Sequence, residues 1–123
     1  MTTVRNLMGT GVSALSAQAT ATGLLTNSLT AAGSTQGTAL AMPSDYLVFT
    51  TVAASTGTIL PANCVSGDWY TVVNHGANAL LVYPPTGGKI ANGSTNAGLS
   101  VGAGKTCQVM CIDPLTFAAS VSA

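Results

Sequence analysis

Few side chains in this sequence could do chemistry. The one histidine, His75, sits in the polar run Asn74-His75-Gly76-Ala77-Asn78. A protein metal shell usually takes three or four His, Cys, Asp or Glu donors. The chain has no second histidine and no glutamate. His75 could reach a metal only through symmetry copies, and it is read as a loop or interface residue. The carboxylates are Asp45, Asp68 and Asp113. Each stands beside Ser, Gly or Pro, where an Asp side chain accepts from a nearby backbone N–H. They are read as turn residues rather than general acids or bases. Cys64, Cys107 and Cys111 show no metal spacing. In a strand, Cys107 and Cys111 would share a face about 13 Å apart, too far for a bridge within that strand. Buried free thiols acting as small hydrophobes are the favoured reading for all three, ahead of a bridge or a metal site. Gly102-Ala103-Gly104-Lys105-Thr106 ends like a phosphate loop, but that motif needs a glycine where Leu99 stands. No Gly-x-Ser-x-Gly elbow is present. The expectation is a protein that is not an enzyme and takes no cofactor and no metal.

Composition narrows the class. The 123 residues fit one domain. Hydrophobic residues make up 47%, enough for a core, while charged residues make up 5% against a usual value of about 25%. The surface must therefore consist mostly of Thr, Ser, Asn, Ala and Gly, which suits burial against other protein chains. A net charge of zero leaves no electrostatic footprint for nucleic acid. No run of about 20 apolar residues marks a membrane helix. Glycines and serines interrupt the N-terminus too often for a secretory leader.

Residues 1–30 are rich in Thr, Ser and Ala with scattered leucines, and they read as an extended arm holding at most a short helix. Residues 31–123 read as a β domain. Tyr46 to Val52 alternates, with Leu47, Phe49 and Thr51 on one face. Trp69 to Asn74 and Lys105 to Ile112 alternate likewise. Shorter strands are expected near Thr38–Met42, Thr58–Leu60, Leu80–Tyr83, Lys89–Ala91, Ala97–Val101 and Thr116–Val121. Pro43, Pro61 and Pro84 close three of them. Gly87 and Gly88 permit a reversal with positive φ, and Asn92-Gly93 is a tight-turn signal. The close spacing of residues 69–74 and 80–83 predicts an antiparallel hairpin. No helix-length connection is available for a parallel sheet, and no fixed repeat is visible. The expected fold is all-β: an antiparallel β-sandwich or barrel-like domain of about eight short strands, with the arm in front.

Several segments together carry a family resemblance. They are Leu29 to Leu40, Phe49 to Ala62, Gly67-Asp68, Val72 to Leu80, and Val82-Tyr-Pro-Pro-Thr-Gly-Gly-Lys-Ile90. Over about residues 29–112 the chain resembles small structural proteins of tailed bacteriophages, found as capsid decoration (cement) proteins or as parts of fibres. The resemblance implies a domain that assembles on a virion, as a homotrimer bound to the major capsid protein on the capsid surface. No nucleic-acid or membrane partner is implied. A second reading is a fibre or tail-adhesion module that recognises a host glycan. Arg5, Leu7, Val12, Leu15, Leu24 and Leu25 are the candidate partner-binding residues of the arm. Trp69, Tyr70, His75 and Tyr83 are the candidate exposed or interface residues. The three aromatics suit the core, a subunit contact or a sugar-binding face.

Overall fold

The computed structural model describes residues 25–122. These residues form ten strands and no helix: β1 Leu25–Thr30, β2 Leu40–Ala41, β3 Tyr46–Thr51, β4 Gly57–Ile59, β5 Trp69–Asn74, β6 Leu80–Tyr83, β7 Lys89–Ile90, β8 Leu99–Val101, β9 Thr106–Asp113 and β10 Thr116–Val121. They build a six-stranded sheet in the order β1-β3-β5-β9-β10-β7 and a four-stranded sheet in the order β2-β4-β6-β8. The fold is all-β, with more strands than expected. Part of the excess is β1, because residues 25–30 of the expected arm are a strand paired with β3. The remainder of that arm, with Arg5, Leu7, Val12, Leu15 and Leu24, lies outside the described residues.

The pairing departs from the antiparallel expectation. From β1 to β6 the chain passes back and forth between the sheets, so odd strands stack in one and even strands in the other. The pairs β1–β3, β3–β5, β2–β4 and β4–β6 are all parallel. This is a solenoid-like coil. A parallel pair needs a crossover, and here the crossover is a strand of the opposite sheet rather than a helix. The expected hairpin between residues 69–74 and 80–83 is absent: β5 and β6 belong to different sheets. The antiparallel pairs come after the coil, while β7 pairs in parallel with β10 at the sheet border. β8 runs antiparallel to β6, β9 to β5, and β10 to β9.

One core fills the space between the sheets. Leu47, Phe49, Val72, Val109 and Phe117 enter from the larger sheet, and Leu80, Val82 and Val101 from the smaller. The alternation read from β3, β5 and β9 matches the burial: Leu47 and Phe49, Tyr70 and Val72, and Cys107, Val109 and Cys111 are buried. Each such fully buried aliphatic or phenyl side chain contributes about 1.5–3 kcal/mol. Thr58 is also fully buried, and its hydroxyl donates to the Leu40 carbonyl at 2.7 Å.

Turn chemistry follows the sequence in part: Gly88, expected to share a positive φ with Gly87, does not take one. Gly87 has a φ of 86° and Gly104 a φ of 77°, the left-handed region that favours glycine. Gly57 is required for a different reason. A Cβ there would run into the Leu81 carbonyl, where β4 lies against β6. Gly57→Ala is expected to destabilise the fold by about 1–3 kcal/mol through this overpacking. Urea unfolding would check it, and an unchanged midpoint would show that the strands can part without cost.

The cysteine expectation needs correction. Cys64 and Cys111 are joined by a disulfide, and only Cys107 is a buried free thiol. The bridge runs from the β4–β5 loop to the inner face of β9, a pairing across the fold that spacing along one strand does not reveal. Backbone bonds reinforce it: Gly67 N donates to Cys111 O at 2.7 Å, and Cys111 N to Asp68 O at 2.8 Å. Burial pushes the Cys107 thiol up to about 11, so it stays protonated and unreactive at neutral pH.

Candidate interaction surface

Strand alternation that buries one face of β3, β5, β9 and β10 turns their other side chains outward. The outward positions are Tyr46, Val48 and Thr50 on β3, Trp69, Thr71 and Val73 on β5, Thr106, Gln108, Met110 and Ile112 on β9, and Thr116, Ala118 and Ser120 on β10. None carries a charge. Trp69 is 56% exposed, and Leu25, Tyr46 and Ile112 are also exposed large apolar side chains. Strand register orders this face into rows. Tyr46 pairs with Thr71, Thr71 with Gln108, and Gln108 with Ser120. In the neighbouring row, Trp69 pairs with Met110 and Met110 with Ala118. Between the rows lies a shallow depression of about 150 Å³, lined by Trp69, Gln108, Met110 and Ser120 among others.

A second apolar surface opens at the loop ends of the strands. It is an open cleft of about 680 Å³, lined by Met42, Ile59, Pro61, Pro85, Pro114 and Leu115 among others. Pro61, which follows β4, is one of its walls.

The residues singled out from sequence do not converge. Trp69 and His75 are exposed. Tyr70 and Tyr83 are not: both are buried core-side residues, which corrects their reading as exposed candidates. The reason is register. Tyr70 shares the inner face of β5 with Val72, and Tyr83 is the buried last residue of β6. His75 is held by its backbone, whose N–H donates to the Phe49 carbonyl at 2.8 Å. Leu25 is exposed at the start of β1.

Two of the three carboxylates perform the turn role expected of them. Asp68 Oδ2 accepts from the Val65 N–H at 2.9 Å, and Asp113 Oδ1 from the Leu115 N–H at 2.9 Å. Asp45 contributes its backbone carbonyl to the Thr71 N–H at 2.8 Å. Burial, then the Asp68 and Asp45 charges and the Asp68 contact, push the Tyr70 phenol up to about 12. Partial burial and then the Asp68 charge raise the Asp45 carboxyl above its ordinary value. The folded state thus binds the Asp45 proton more tightly than the unfolded chain. The ionised group costs stability at neutral pH, and the cost fades as pH falls through the raised value. Asp45 is mostly exposed, so screening keeps the effect small. Asp45→Asn is expected to add a few tenths of a kcal/mol at pH 7 and nothing at low pH; thermal unfolding at both pH values would check it.

Asn74 is the site residue that sequence reasoning passed over. It is fully buried at the end of β5. Its Nδ2 donates to Asn78 O at 2.8 Å and to Val101 O at 2.9 Å, and its Oδ1 accepts from Gly76 N at 2.9 Å. The side chain thereby turns the chain from the larger sheet toward the smaller. Its place at the end of an alternating strand, in phase with Tyr70 and Val72, was the available signal.

Among the described residues, no group of three or more His, Cys, Asp or Glu side chains could hold a metal ion. Nor is any helix there long and apolar enough to cross a membrane. Comparison with protein-family models, with curated proteins and with solved structures found no match.

Proposed function

We propose that this chain is a decoration (cement) protein of a tailed-bacteriophage capsid. It binds the outside of the assembled shell as a homotrimer and stabilises junctions between major capsid protein subunits. The observation that carries the reading is an exposed surface almost without charge. It is studded with Leu25, Tyr46, Val65, Trp69, Ile112 and Leu115 in a chain whose charged fraction is 5%. Interface centres are depleted in Lys, Glu and Asp and enriched in aromatics, so such a surface suits cover by other chains. The sequence resemblance to phage decoration proteins points the same way. In this reading the two sheets act as the layers of a sandwich, and the protein needs no catalytic group, cofactor, nucleic acid or membrane. A protein that binds only the assembled shell stabilises it by mass action, and a trimer multiplies weak contacts.

Quantitative mass spectrometry of purified particles tests the proposal. Abundance comparable to the major capsid protein is expected; absence from particles would refute a virion role, and a few copies at one vertex would move the protein to the tail or a fibre. Deleting residues 1–24, which carry most of the candidate partner-binding residues, is expected to weaken shell attachment while leaving urea stability nearly unchanged. Unchanged saturation of shells would remove that segment from the contact.

A further inference from the structure

We propose that the outer face of the six-stranded sheet binds a neutral polysaccharide, laid across the strands over Trp69. Three observations converge. The first is the pairing of two unlike rows. Trp69 and Met110 form an apolar row, and Tyr46, Thr71, Gln108 and Ser120 form a row of hydroxyl and amide groups beside it. Residues two apart on a strand lie about 7 Å from one another, so a ligand resting on the first row reaches the second. A sugar ring has matching parts: an apolar C–H face to rest on an indole, and hydroxyls at its edge. The second is spacing. Neighbouring strands are about 4.8 Å apart, comparable to the size of one sugar ring, so a chain crossing the strands meets a fresh hydroxyl or amide at each. The third is charge. The two rows carry no charged side chain, and the nearest carboxylate on these strands is the exposed Asp113 at the end of β9, paired with Thr116, which disfavours an acidic polymer and suits a neutral one.

The shallow depression between the rows places Gln108 and Ser120 beside Trp69. That geometry positions one ring against the indole, with amide and hydroxyl partners at its edge. A glycan supplies hydroxyls along its whole length to partner the polar row. The inference stands apart from the capsid role, because it is tested on the isolated full chain.

Trp69 is the sole tryptophan, so intrinsic fluorescence reports this face alone. The probes are neutral hexasaccharides of glucose (α-1,4, β-1,4 and β-1,3 linked) and of N-acetylglucosamine, with oligogalacturonate as the acidic control. At least one neutral probe is expected to shift Trp69 emission saturably, with a Kd of about 0.1–1 mM. Calorimetry is then expected to show binding lost in Trp69→Ala and weakened roughly tenfold in Gln108→Ala. Both side chains point out of the sheet, so urea midpoints should stay unchanged and separate binding from folding. Three results would overturn the proposal: no neutral probe acts up to about ten times that range; oligogalacturonate binds as well as the neutral probes; or binding survives both substitutions. A Trp69-dependent dimer in sedimentation, with no sugar response, would likewise refute it and assign the face to contacts between copies.

Discussion

Reducing the Cys64–Cys111 bridge is expected to lower the unfolding free energy by about 4 kcal/mol, the chain-entropy value for a closed loop of this length. The bridged residues are 47 apart in sequence. For a chain of this size the loss corresponds to a fall in Tm of roughly 15 °C. Reduction is the cleaner perturbation, because it removes the cross-link and leaves the side chains in place. Replacing Cys111 would add the loss of a fully buried side chain on β9. The measurement is urea unfolding with and without a phosphine reductant, with Cys107→Ala as the control variant. Equal midpoints in the two conditions would mean that the bridge does not restrain the unfolded chain. The control should keep the full response to reductant, since Cys107 is the free thiol. A large effect is consistent with where the bridge sits. It ties the β4–β5 loop of the coil to β9, the strand that lies between β5 and β10 in the larger sheet, so it couples the middle and last thirds of the described residues.

The second large effect is expected at Asn74. Asn74→Ala should cost about 3–4 kcal/mol, at roughly 1 kcal/mol for each of three buried or partly buried hydrogen bonds. The loss is not shared evenly. Val101 O loses a donor that water cannot easily replace at a buried position, and such an orphaned carbonyl carries the heaviest penalty, whereas the bonds to Asn78 O and Gly76 N are only partly buried. Asn74→Asp separates the terms. Its carboxylate would face two carbonyl oxygens without a proton to offer, so at pH 7 it should destabilise at least as much as alanine. Burial would raise the pKa of this new carboxyl in the folded state. Its penalty would therefore ease as pH falls through that raised value, when the protonated group can donate one bond. Urea midpoints for both variants at pH 7 and pH 4 test this; an aspartate variant indifferent to pH would show that the site admits water.

Asn74 also shows what could be read from the sequence and what could not. Strand existence was legible wherever β-branched and aromatic residues alternate: Tyr46-Leu-Val-Phe, Trp69-Tyr-Thr-Val-Val and the run from Cys107 to Cys111 all fall in strands with the expected faces. Pairing was not legible. The five residues between β5 and β6, His75 to Ala79, look alike whether the chain folds back in the same sheet or turns into the next one. The difference lies in Asn74 Nδ2 reaching Asn78 O and Val101 O, and Val101 is remote in sequence. The coils were invisible for a related reason. β1, β3 and β5 read Leu-Thr-Asn-Ser-Leu-Thr, Tyr-Leu-Val-Phe-Thr-Thr and Trp-Tyr-Thr-Val-Val-Asn; β3 and β5 share a burial rhythm that β1 lacks, and the three share no residue pattern. At the candidate surface, the exposure of Trp69 followed from its phase in β5. The same phase buries Tyr70, so two adjacent aromatics have opposite fates.

The sheet borders carry a consequence for how many copies can live side by side. Among the described residues, three of the four edge strands, β2, β7 and β8, are only two or three residues long. The fourth, β1, is bent: its register with β3 slips on either side of Leu29, and Ser28 has a φ of 58°. Short or kinked borders are poor templates for an incoming strand. A crowded layer of this protein is thus guarded against fusing into continuous β-fibrils. Copies packed at high local density must recognise one another, and anything else, through faces and loops, and they remain separable units.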